Sequence, residues 1–87
     1  MTPNDLIAEL KTLVLDAAEK TAPAGGLADE EPLFGPESRL ALDSLDALQI
    51  SMAVQARFGV RMSDSKETRR ALSSIAHLAR HLIERGA

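Results

Sequence analysis

The sequence has no cysteine, tyrosine or tryptophan, and its 87 residues include only two aromatics, Phe34 and Phe58. Without cysteine there is no disulfide framework, no thiolate zinc site and no sulfur nucleophile. Two phenylalanines make a poor stacking platform for bases. No apolar run approaches the roughly 20 residues that cross a bilayer. Asp5, Glu9 and Lys11 interrupt the first apolar residues, so no secretory leader and no membrane insertion are expected, and a cytoplasmic protein is. A chain this short is expected to form one domain, 1–87, with a modest core and no deep catalytic cleft. It suits presenting a surface better than enclosing a reaction.

Charge is also limited. The net charge of -3 argues against nonspecific nucleic-acid binding, and no nucleic-acid partner is expected. The acids lie early: residues 1–46 hold ten, against Lys11, Lys20 and Arg39. Residues 47–87 hold three acids and seven bases. Among those bases, Arg61, Lys66, Arg69 and Arg70 form a small cluster. It reads either as solvated surface or as a contact for an acidic patch on a partner. A small helical DNA-binding domain is disfavoured by the acidic first half.

What is present is 45% hydrophobic residues arranged with helical period. Thr2-Pro3-Asn4-Asp5 reads as a helix start, with Thr2 as N-cap and Pro3 in the first turn. Leu6, Ile7, Leu10, Leu13, Val14, Ala17 and Ala18 follow at helical spacing, and the helix is expected to end near Lys20 to Ala22. Residues 21–41 form a long loop punctuated by Pro23, Gly25, Gly26, Pro32, Gly35 and Pro36. Leu27, Leu33, Phe34 and Leu40 should anchor it, with mobility around Ala24 to Glu31. A second helix runs from Asp43 or Ser44 to about Phe58, where Gly59 stops it. A short helix is expected over 66–71. A last one starts from Ser73, ends at Gly86, and carries the core stripe Ile75, Leu78, Ala79, Leu82 and Ile83. The fold class expected is all-α: a small four-helix bundle of three main helices and one short one, with a long first loop.

The second helix has two apolar stripes. Ile50, Val54 and Phe58 form one face, continued by Met62 and assigned to the core, with Phe58 the largest core candidate. Leu45, Leu48 and Met52 form another. A surface helix of a bundle needs one stripe. The second suits either a fully buried central helix or a face that meets a partner, and flexible Met52 fits a surface with several partners.

Leu42-Asp43-Ser44-Leu45-Asp46, at the mouth of this helix, resembles the phosphopantetheine attachment motif of acyl carrier proteins. Met52-Ala53-Val54, Phe58-Gly59-Val60 and Ser63-Asp64 follow at the family's spacing. Leu72-Ser73-Ser74-Ile75 is similar to the start of the family's last helix. Leu33-Phe34-Gly35 with Glu37-Ser38-Arg39-Leu40 resembles its loop before the motif. The resemblance covers about residues 33–83 closely. It implies a non-catalytic carrier with 4′-phosphopantetheine on Ser44, attached from coenzyme A by a phosphopantetheinyl transferase. The arm's thiol would carry acyl groups as thioesters between acyl-loading, condensing and processing enzymes. Asp43, Leu45 and Asp46, with Leu48, Gln49, Met52 and Gln55, would form the partner surface of a monomeric carrier.

Elementary physics adds conditions. A helix N-terminus tolerates a phosphate. Asp43 and Asp46 lie within a turn, so repulsion should turn a phosphodiester outward. Those carboxylates then suit a basic partner surface or a metal held by the transferase. No His or Lys adjoins Ser44, so its activation must come from the transferase. Two departures stand out. Ala41 occupies a position where the family usually has glycine. Gln49, Gln55, Ala56 and Arg57 replace much of the family's acidity, which points to a specialised carrier of a fatty-acid, polyketide, aryl-polyene or other lipid pathway. Leu40-Ala41-Leu42 departs from the Gly-Gly pair usual in peptidyl carriers, which makes that alternative weaker. A helical interaction module without a prosthetic group is the other alternative. His77 and His81 stand at i, i+4 but lack an evident third ligand, so no metal site is expected. Gly25-Gly26 lacks the context of a phosphate-binding loop.

Overall fold

The computed structural model describes residues 2–62 and 64–86; Ser63, part of the resemblance above, lies outside the described residues. The order of elements is α1 (Pro3–Ala18), α2 (Ser44–Phe58), α3 (Ser65–Ala71) and α4 (Ile75–Glu84). Among the described residues the expected all-helical architecture is observed: three longer helices, one short one, and a first loop over 19–43.

Each start is chemically marked. Thr2 caps α1 in a reciprocal box with Asp5: the Asp5 N–H donates to Thr2 Oγ1 at 3.1 Å and the Thr2 N–H to Asp5 Oδ2 at 3.3 Å. Asp64 caps α3 through the Lys66 N–H at 3.1 Å. Ser74 caps α4 through the His77 N–H at 3.1 Å. The sequence points to Ser73 for that start, but its hydroxyl turns back to the Arg70 carbonyl at 2.9 Å, closing the previous helix. Gly59 stops α2 at φ +72° with its N–H on the Gln55 carbonyl, as expected. α1 stops earlier than expected, because Glu19 turns left-handed at φ 55° and the Lys20 N–H folds back to the Leu15 carbonyl at 2.9 Å.

One aliphatic core joins the helices. Leu10 and Val14 of α1, Ile50 and Val54 of α2, Leu72, and Ile75, Leu78 and Leu82 of α4 are fully buried. Met62 extends the α2 stripe into the core at 7% exposure, as expected. Two core assignments need correction. Phe58 is half-buried, packed against the core from its edge, because it occupies the last turn of α2. Ile83 is 49% exposed, because it lies one residue past the face that Leu78, Ala79 and Leu82 turn inward.

The long loop is pinned by named contacts. Leu27, Leu33, Leu40 and Leu42 are buried. The Leu33 N–H donates to the Ser73 carbonyl at 3.1 Å, and the Leu42 N–H to the Leu33 carbonyl at 3.2 Å. The stretch expected to be mobile, 24–31, is held by Arg39. Its guanidinium donates to the carbonyls of Ala24 and Gly26, each at 2.9 Å, and grips Glu31 at 2.5 and 3.0 Å. This drops the Glu31 carboxyl to a pKa of about 2, the Arg39 contact being the largest cause and the Ala28 N–H the next. The Asp29 carbonyl also accepts from the Ala76 N–H at 2.7 Å, and its carboxylate meets Lys11 at 2.6 Å, tying the loop to α4 and α1.

Candidate functional site

Ser44 is the first residue of α2 and is exposed. Its neighbours decide what its hydroxyl can do. The N-cap is Asp43, not Ser44: Asp43 Oδ1 accepts the Asp46 N–H at 2.9 Å. Asp46 returns the favour, its Oδ2 accepting the Asp43 N–H at 3.1 Å. This is a capping box with aspartate at both ends. It satisfies the backbone donors that would otherwise compete for Ser44 Oγ, which makes no hydrogen bond among the described residues. The Asp43 carboxyl is held below the usual carboxylate range, chiefly by the Asp46 N–H, with smaller help from the Asp46 side chain, the Leu45 N–H and Lys20. It therefore stays ionised. Both carboxylates, which the sequence suggests are free for partners, are first of all the clamp that starts the helix. The Asp-x-x-Asp spacing was the signal for this.

The loop before Ser44 is equally specific. Ser38 Oγ donates to the Leu33 carbonyl at 2.8 Å and accepts from the N–H groups of Leu40 and Ala41 at 3.1 and 3.0 Å. Ala41 is left-handed, at φ 49°. A Cβ makes that conformation costly, so the residue that departs from the resemblance stands where the backbone favours glycine. The loop adopts the turn regardless, held by Ser38 on one side and by buried Leu42 on the other.

Beside Ser44 runs an open groove of about 600 Å³ between α2 and α3. Its walls are mainly apolar, with Phe34, Leu42, Ala47, Leu48 and Met62, and polar groups from Asp43, Ser44, Ser51, Thr68 and Arg69. Arg69 is its one cation among the described residues, a member of the site that sequence spacing does not reveal.

The other residues named from sequence share the outer side of α2. On an ideal helix Leu48 and Met52 lie about 160° from buried Ile50. Leu45, Leu48 and Met52 are 62%, 56% and 60% exposed. Gln49 and Gln55 are exposed beside them, and Asp46 is half-buried. The second stripe thus faces outward, and the buried-central-helix reading is excluded. Arg57 leaves this group: it pairs with Glu9 on the α1 side of the helix. His77 is engaged locally, its Nδ1 2.7 Å from Ser74 Oγ, whereas the buried Nε2 of His81, 3.7 Å from a Glu67 carboxylate oxygen, has no hydrogen-bond partner among the described residues. No group of three or more potential metal ligands occurs among the described residues. No helix among them is long and apolar enough to cross a membrane.

A family model described as the phosphopantetheine attachment site matches residues 8–82, from the first turns of α1 to the last turn of α4. The match spans well over half the chain, and the protein belongs to this family, whose domains carry 4′-phosphopantetheine covalently. Comparison with curated proteins and with solved structures returned no match. The residues present fit such a group: an exposed serine hydroxyl released from capping duty, beside a mainly apolar groove that Arg69 also lines.

Proposed function

We propose that this protein is an acyl carrier, with the 4′-phosphopantetheine on Ser44. The observation that carries the proposal is the division of labour at the start of α2. Asp43 and Asp46 cap the helix, and the serine between them is left exposed and unengaged. A phosphopantetheinyl transferase would form the bond between Ser44 Oγ and the phosphorus of coenzyme A, releasing adenosine 3′,5′-bisphosphate. The serine proton must leave to a base on the transferase, because no His or Lys among the described residues bonds the Ser44 hydroxyl, and Asp43 and Asp46 are committed to the cap. When bound, the group supplies the thiol that the cysteine-free sequence lacks. The chain's own residues then hold the attachment point rigid, offer an apolar groove, and present Leu45, Leu48, Gln49, Met52 and Gln55 to enzymes that load, condense or process the acyl group. In this reading the protein is a cytoplasmic, monomeric, non-catalytic domain. It serves a specialised fatty-acid, polyketide or related lipid pathway, because the outer face of α2 is neutral rather than acidic beyond its first turn.

Incubation with coenzyme A and several broad-specificity transferases tests this. One phosphopantetheine mass should be added, and Ser44→Ala should abolish it. A wild-type protein left unmodified by all of them refutes the carrier reading. The outward apolar stripe also suits an interaction module without a prosthetic group. In that case, partner binding would survive Ser44→Ala and be lost with Met52→Asp.

A further inference from the structure

The short helix α3 carries cations that nothing in the fold uses. Lys66, Arg69 and Arg70 stand at i, i+3 and i+4, on one side of the helix, and Arg61 precedes it in the link from α2. All four are exposed, and none enters an ion pair among the described residues. Two of the acids nearest them are engaged elsewhere. Glu67 turns to Arg85 and His81, and Asp64 is committed to capping the helix through the Lys66 N–H. Arg69 lines the same groove as Ser44 and Leu48, so the basic edge meets the apolar stripe at Arg69, while Arg70 lines the depression between α3 and α4.

The charge pattern of the whole face follows. Its centre is apolar: Leu45, Leu48 and Met52. Gln49 and Gln55 carry no charge, and Arg57 is turned away to Glu9. Asp43 and Asp46 charge only the end beside Ser44. The α3 side is basic. An enzyme that reaches the attachment point must cover this edge or meet it. A basic rim there would face like charges, whereas an acidic rim speeds encounter and fixes orientation.

Resting on the carrier reading, we infer that this face docks a protein partner whose active-site mouth is apolar at its centre and acidic where it meets α3. An anionic membrane fits less well, because the acidic side chains Asp43 and Asp46 beside Ser44 would repel its headgroups.

The test uses the holo-protein, verified by mass, labelled and titrated against two condensing enzymes of known structure. One has acidic residues round its active-site mouth and the other basic residues. The acidic-mouthed enzyme should bind about 10-fold tighter at low salt, with the preference shrinking as salt rises. The K66E/R69E/R70E variant should reverse the preference, and R69K/R70K should keep it. R69E/R70E, at exposed positions, serves if the triple variant does not fold. Equal affinities, a preference for the basic mouth, or a preference unmoved by charge reversal would overturn the inference. So would cosedimentation with equimolar phosphatidylserine–phosphatidylcholine vesicles that is lost on reversal while the enzymes are not distinguished. Failure of the transferase to modify Ser44 would instead remove the carrier reading; the charge dependence measured on the unmodified protein would still report on the basic edge.

Discussion

Replacing Ala41 with glycine should make the protein more stable. Ala41 sits at φ 49°, a conformation that costs an L residue about 1–2 kcal/mol relative to the right-handed well. Glycine removes that cost but gives the unfolded chain more freedom, which offsets about 0.4–1 kcal/mol. Ala41 is exposed, so its methyl contributes little packing, and its N–H can keep the bond to Ser38 Oγ. The net expectation for Ala41→Gly is a gain of about 0.5–1 kcal/mol. In a domain of this size that raises Tm by about 2–8 °C. The converse change supplies the control. Gly59 has φ +72°, and a Cβ built there meets nothing within 4 Å. Gly59→Ala should therefore cost about 1 kcal/mol from backbone strain alone. Thermal melts of both variants, with reversible denaturant titrations, decide the matter. An unchanged or lowered Tm for Ala41→Gly would refute the left-handed turn, and with it the loop geometry that delivers Ser44.

Three further outcomes are expected. Asp43→Ala should cost about 1 kcal/mol as a lost N-cap, whereas Ser44→Ala should leave the denaturation midpoint nearly unchanged, because Ser44 does not cap. Phe58→Ala, at a half-buried edge, should cost about 1.5–2.5 kcal/mol, and Ile50→Ala, fully buried, about 2–5 kcal/mol; a larger loss at Phe58 would contradict the burial seen here. Glu31 has a folded pKa lowered from 4.5 to about 2, so its contribution is complete above 4.5 and is lost as acid protonates the folded state toward 2. Urea midpoints should fall through that window, and Arg39→Ala should flatten the part of the fall that Glu31 contributes.

The parts of this structure legible in sequence are those fixed by neighbours along the chain. Thr2, Pro3 and Asp5 announce α1, and Gly59 ends α2, because caps and stops act within a turn. The two stripes of α2 and the choice of Ile50 and Val54 as core follow from helical period. Periodicity does not say where a stripe runs off the core, and so Phe58 and Ile83 are less buried than it suggests. Ser73 and Ser74 are equally good caps by composition, and what separates them is tertiary placement: Ser73 Oγ turns back to the Arg70 carbonyl and its own carbonyl accepts the Leu33 N–H, while buried Ser74 takes the His77 N–H. The order in the long loop comes from Arg39 reaching back to Ala24, Gly26 and Glu31, contacts that composition does not encode. At the candidate site, the outward-facing stripe of Leu45, Leu48 and Met52 was legible. That Asp43 and Asp46 clamp each other was available in their spacing, but their charge drew the reading toward partners. Arg69 joins the site only because α3 packs beside α2.

The central claim is that Ser44 bears the prosthetic group, and the most direct measurement is mass spectrometry of the protein isolated from the cell that makes it. The account predicts an intact mass increased by one phosphopantetheine, with or without an acyl group, and a peptide that places it on Ser44. An unmodified protein, or the group found on Ser38 or Ser51, would contradict it.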